Sequence, residues 1–131
     1  MTTYSSRWNM DKKNDATNCP LEYGLKIFGG RWDSKIICLL SERERLRYKE
    51  IREDVNNITD QALTSTLKKL INDGLIERFQ YSEIPPKVEY ALTEKGKSVI
   101  PIIRSICEWS ESNNFGDLNP CHICELEHDK V

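Results

Sequence analysis

The spacing of the apolar residues changes once, sharply, at Gly74, and that change limits what this chain can fold into. Between Thr59 and Asp73, Leu63, Leu67, Leu70 and Ile71 fall at i, i+4, i+7 and i+8, one face of an α-helix. Thr59 or Asp60 can cap its start, and Asn72-Asp73-Gly74 supplies a left-handed stop. Beyond Gly74 the period is two. Ile76, Arg78 and Gln80 alternate with Leu75, Glu77 and Phe79, and Val88, Tyr90 and Leu92 alternate on the return. Pro85-Pro86 stiffens the tip between the two runs.

The flanking segments complete a winged-helix outline. Pro20 suits the first position of a helix through Leu21, Leu25 and Phe28 that ends at Gly29-Gly30. A second helix, with Trp32, Ile36, Ile37, Leu39 and Leu40, is too apolar to be anything but buried. SERERL reads as a turn with a short strand at Leu46. Tyr48, Ile51 and Val55 then mark a third helix, and Asn56-Asn57 the turn into the helix described above. Helix, turn and helix make a helix-turn-helix with its second helix as reader. A last helix opens at Thr93, with Pro101 inside it as a slight kink. Its stripe (Val99, Ile100, Ile102, Ile103, Ile106, Cys107 and Trp109) is wider than a small domain needs, which indicates a subunit contact unless the core is deeper than expected. The fold class is α+β, mainly α: a winged helix-turn-helix with extra N- and C-terminal dimerisation helices. Residues 1–18 read as a flexible N-terminal arm, 19–112 as the domain, and 113–131 as an acidic tail containing cysteines.

Opposite the leucines, a step of about 100° per residue puts Gln61, Thr64, Ser65, Lys68, Lys69 and Asn72 on or beside the solvent side. Hydroxyl, amide and ammonium groups can read base edges and touch phosphates. No carboxylate lies from Gln61 to Asn72, whereas ordinary solvated helices usually mix in Glu. A surface helix that is polar merely because it meets water is the alternative.

The net charge of −2 is concentrated in the tail: residues 19–109 carry 15 Lys/Arg against 14 Asp/Glu. Within the domain Arg43, Arg45, Arg47, Lys49 and Arg52 crowd together, but Glu42, Glu44, Glu50 and Glu53 interleave with them. Arg47, Lys49, Arg78 and Lys87 are further candidates for DNA contact. An enzyme is not expected. The only histidines, His122 and His128, lie in the tail, and no phosphate-cradling glycine loop, HExxH or nucleophile elbow is present. No secretory or bilayer-spanning run is legible, so the expected compartment is the cytoplasm, with no membrane partner and no cofactor.

CPLEYGLKIFGGRW at 19–32, DQALTSTLKKLINDGLIER at 60–78 and EIPPKVEYALTEKG at 83–96 together resemble the HxlR-type branch of the MarR-like winged-helix regulators, over roughly residues 19–110. The resemblance implies a bacterial or archaeal homodimer, paired through its first and last helices, that binds a pseudo-palindromic double-stranded DNA operator and usually represses transcription. By position it makes Asp60–Asn72 the reading helix and Gln80–Lys87 the wing. Glu83 in the wing weighs against a strong phosphate contact at its tip, and Arg78 at its base matters as much as Lys87. Geometry favours the same assembly: a two-fold dimer spaces two reading helices about 34 Å apart, one turn of DNA. A winged-helix adaptor that binds protein is the competing reading.

Five cysteines in a reducing compartment are metal ligands, redox groups or core fillers before they are structural disulfides. Cys19 precedes Pro20 at the N-cap of the first helix, where the dipole and unpaired N–H groups favour thiolate, the form that oxidants and electrophiles attack. Some members of the resembling family sense quinones, aldehydes or disulfide stress through a cysteine at this position, often by pairing with a cysteine of the other subunit. A buried, inert cap is the alternative. Cys121 and Cys124 form a CxxC with His128 beyond it, and three readings stay open: redox partners of Cys19, a zinc site, or a tail without a role. Cys38 is expected in the core, and Cys107 as packing at the subunit contact.

Overall fold

The computed structural model describes residues 19–113. Their elements run α1 (Pro20–Phe28), α2 (Asp33–Glu42), α3 (Tyr48–Val55), α4 (Asp60–Asn72), β1 (Ile76–Tyr81), β2 (Lys87–Leu92), α5 (Glu94–Lys97) and α6 (Ile100–Asn113), with the two strands antiparallel. This is the expected mainly helical winged helix-turn-helix. The N-terminal arm, and the tail from residue 114 with Cys121, Cys124 and His128, lie outside the described residues.

Helix α2 is the pillar. Ile36 and Ile37 are fully buried and Cys38, Leu39 and Leu40 nearly so. A helix apolar over most of its circumference must be covered on most sides, and α1, α3, α5, α6 and β2 pack around it. Trp32 departs from the expected burial. It precedes α2 as a half-buried N-cap, its ring 4.7 Å from the Arg31 guanidinium and 5.0 Å from the Lys35 ammonium. One residue before the helix, the indole turns to the rim, where its face serves two cations.

Helix α4 starts and stops as its sequence requires. The Thr59 hydroxyl accepts the Ala62 N–H at 3.0 Å, and Leu63, Leu67 and Leu70 are buried against the body. At the far end Gly74 takes φ +81°; its N–H donates to Ile71 at 3.0 Å and the Leu75 N–H to Leu70 at 2.9 Å. Those two bonds form a Schellman closure, and Leu70 and Leu75, the pair that motif brings together, are both fully buried.

The wing pairs Ile76 with Leu92, Arg78 with Tyr90 and Gln80 with Val88. The strand expected at Leu46 is a single bridge: its N–H donates to Tyr90 at 3.0 Å and its carbonyl accepts from Tyr90 at 2.8 Å. Thr93 caps α5 by accepting the Gly96 N–H at 3.1 Å and donating to the Gly74 carbonyl at 2.6 Å. Glycine is required at 96, because a β-carbon there would stand 2.2 Å from the Leu75 carbonyl oxygen.

The last helix corrects the sequence reading. It is two helices, broken at Ser98-Val99, and Pro101 is the second residue of α6 rather than an interior kink. In the first turn a missing N–H removes no helical bond. Ile103 is buried, whereas Ile102, Ile106 and Trp109 are exposed. Helix α1 behaves alike: Ile27 enters the core, and Leu21, Tyr23 and Leu25 stay in solvent.

Candidate nucleic-acid interface

The turn between α3 and α4 is made by Asn56 and Asn57, both at positive φ (63° and 62°). Asparagine tolerates that region far better than a branched side chain. A polar hinge then fastens the two helices at their starts. The Tyr48 hydroxyl donates to the Asp60 carboxylate at 3.0 Å and lies 3.3 Å from the Thr64 hydroxyl. Arg52 Nε meets the same carboxylate at 3.0 Å. Both ionic groups are more than half exposed, so the pair adds no more than about 1 kcal/mol; its value is in holding the reader's first turn.

Gln61, Thr64, Ser65 and Lys68 are exposed and, with Asp60, line one shallow open depression. Asp60 was not among the candidates, yet it extends the ridge by one residue and brings a carboxylate to it. Its charge is met by Arg52, and a negative group in a helix's first turn also suits the dipole. The sequence signal was a Tyr-x-x-x-Arg pair on α3 facing an acid at the start of the next helix. Ser65 donates to the Ala62 carbonyl at 3.2 Å.

Lys69 is not on this ridge. Its ammonium donates to the Ile27 carbonyl at 3.0 Å and to the Asp33 carboxylate at 2.9 Å, with Asp73 at 3.8 Å. The buried Asp33 side chain draws it toward the body, a partner that a single helical wheel does not include.

The basic run around α3 is partly neutralised by side-chain pairs, Arg43 with Asp54 and Arg52 with Asp60, each at 3.0 Å, while the Arg47 backbone N–H donates to the Glu50 carboxylate at 2.8 Å, half of a capping box. Among the described residues the side chains of Arg47, Lys49 and Lys68 form no ion pair. On the wing, exposed Arg78 donates to Gln80 at 3.1 Å. Lys87 folds back, 3.6 Å from Glu89 and 5.1 Å from the Tyr81 ring centroid. Arg45, read from sequence only as one of the basic run, stacks 3.9 Å over Phe79 and donates to the Tyr81 hydroxyl, bracing the wing on the body.

A helix-turn-helix with its reader outward and a two-stranded wing beside it narrows the comparison with known proteins. The sequence profile of the HxlR-like helix-turn-helix proteins matches residues 27–116. The chain belongs to the HxlR-like helix-turn-helix family. It is 43% identical over 122 residues to an HTH-type transcriptional regulator of Methanothermobacter thermautotrophicus, covering 89% of this chain and 92% of that one. Among solved structures it is similar to the redox regulator HypR in its oxidized form (TM-score 0.68, 38% identity, 74% of this chain and 99% of that chain). It also resembles the reduced form of the transcriptional regulator YodB from B. subtilis (TM-score 0.67, 32% identity, 78% of this chain and 98% of that chain). This HxlR-like chain is thus a transcriptional regulator of the helix-turn-helix type, in a family of regulators rather than enzymes. No described helix is long and apolar enough to cross a membrane.

In this HxlR-like domain Cys19 is half-buried at the N-cap of α1; its carbonyl accepts from Tyr23 at 2.9 Å and its thiol forms no capping bond. Cys38 is buried in the core, and Cys107 is half-buried against it. Among the described residues no group of His, Cys, Asp and Glu could hold a metal ion.

Proposed function

We propose that the protein is a homodimeric repressor, paired through α1 and α6, that binds a pseudo-palindromic operator and releases it when Cys19 is oxidised or alkylated. One observation carries the pairing. Of the seven large hydrophobic side chains exposed among the described residues, six lie on these two helices: Leu21, Tyr23 and Leu25 on α1, Ile102, Ile106 and Trp109 on α6. Apolar side chains gathered on the two helices outside the reading module mark a contact surface. A two-fold partner there presents two reading ridges to successive major grooves.

The thiol arm rests on Cys19 at the head of the pairing helix and on similarity to HypR, itself a redox regulator. With an oxidant such as diamide, Cys19 and a second thiol, Cys121 or Cys124, lose two protons and two electrons and form one S–S bond; diamide takes both and becomes the hydrazine. A quinone instead forms one carbon–sulfur bond to Cys19 and is itself reduced to the hydroquinone level. The test is operator binding by the full chain before and after diamide, for wild type and Cys19→Ser, with mass read in parallel by sedimentation. Release by wild type alone supports the reading. Equal release by both removes Cys19, and a monomer that binds no duplex removes the dimeric operator complex.

A further inference from the structure

The ammonium of Lys69 sits where three parts of the fold meet. It donates to the Ile27 carbonyl near the C-terminal end of α1 at 3.0 Å and to the first residue of α2, Asp33, at 2.9 Å, and it faces Asp73 just past the end of α4 at 3.8 Å. An ammonium has three protons to give; two are donated to Ile27 and Asp33, and the Asp73 carboxylate stands at ion-pair distance, so the charge is directed at the body of the protein. The site is built rather than incidental. The Asp33 side chain is only 6% exposed and also accepts the Gly30 N–H at 3.3 Å. A β-carbon at residue 30 would come within 2.6 Å of that carboxylate, so the glycine makes room for it. A buried carboxylate with its cation removed is costly, which holds the pair together.

We propose that Lys69 is a positioning residue for DNA reading: it ties the flank of the reading helix to the end of α1 and so sets the angle between the pairing helix and the reader. The inference rests on the dimeric reading above, in which α1 carries the two-fold contact. In that assembly the separation of the two ridges is fixed by how each α4 sits on its own α1. Lys68, the next residue back, faces solvent; two adjacent lysines therefore have opposite duties, one toward the nucleic acid and one toward the scaffold.

The experiment uses the full chain and the duplex it selects from random-sequence DNA, with a scrambled duplex as control, each titrated over a range of salt. Lys69→Met is expected to weaken the selected duplex by roughly tenfold, about the value of one good base contact. The scrambled duplex and the salt slope should not move, because no phosphate contact is lost. Asp33→Asn with Lys69→Met together, a variant without an unpaired buried charge, should bind no worse than Lys69→Met alone, since both act through one link. Lys69→Arg, which keeps the cation, should recover most of the affinity. A salt slope reduced by about one, with both duplexes weakened alike, would make Lys69 a phosphate ligand and overturn the proposal. So would unchanged affinity in Lys69→Met, or a double variant much weaker than the single. If wild type selects no duplex at all, the dimeric operator reading fails and this inference with it; selection by wild type and indifference to Lys69 defeats this inference alone.

Discussion

The Tyr48 hydroxyl donates to the Asp60 carboxylate at 3.0 Å, so the first residue of α3 is bound to the first residue of α4 across the turn. Two asparagines at positive φ make that turn, and the bond keeps its two ends from opening. Removing the hydroxyl while keeping the ring isolates its part. Tyr48→Phe is expected to lower unfolding stability by about 0.5–1.5 kcal/mol, measured by urea denaturation. A larger loss would mean that the ring itself shifts.

Lys68 and the neutral ridge should separate in a binding assay. Lys68→Ala removes one free ammonium and should weaken every duplex alike, with a salt slope lower by about one. Gln61→Ala and Ser65→Ala should instead change which base is preferred, by about 1–3 kcal/mol at one position. Uniform losses from all three, on selected and scrambled DNA, would defeat this division.

Two glycines predict opposite outcomes. At Gly96 a β-carbon would collide with the Leu75 carbonyl, and at Gly24, inside α1, it would meet only the Phe28 ring at 3.6 Å. Gly96→Ala should therefore destabilise by about 1–3 kcal/mol, whereas Gly24→Ala should stabilise by about 0.5–1 kcal/mol through helix propensity. Thermal melts of the two variants at one protein concentration check the signs.

Charge placed on the exposed apolar helices should separate folding from pairing. Leu25→Glu with Trp109→Glu alters two side chains that lie outside the core, 53% and 67% exposed. Circular dichroism should keep its helical signature while sedimentation falls to the mass of one chain. A full-size dimer in this variant would place the subunit contact elsewhere.

How far the sequence reaches depends on the range of the cause. The stretch from Thr59 to Gly74 was legible because its leucine spacing, its hydroxyl cap and its glycine stop all act within a few residues. The α5–α6 break was not: Pro101 looks the same in a helix interior and in a first turn, and the apolar spacing from Val99 to Trp109 carries no mark of a break at Ser98-Val99. Lys69 shows a related limit. A wheel drawn on α4 puts it beside Lys68, and it is partners distant in sequence, the Asp33 carboxylate and the Ile27 carbonyl, that draw it toward the body. Trp32 shows the same limit, because composition says that an indole prefers cover and not which residue offers it.

The exposed side chains of α1 and α6 also bear on the life of a newly made chain. In the proposed dimer, a lone subunit would show water an apolar surface that chaperones, proteases or other unfolded chains can seize, whereas a second copy would hide it. Effective stability then grows with abundance. Orphans would be cleared at low dosage and a durable population would accumulate only past a threshold, so expression level would decide whether there is a regulator at all.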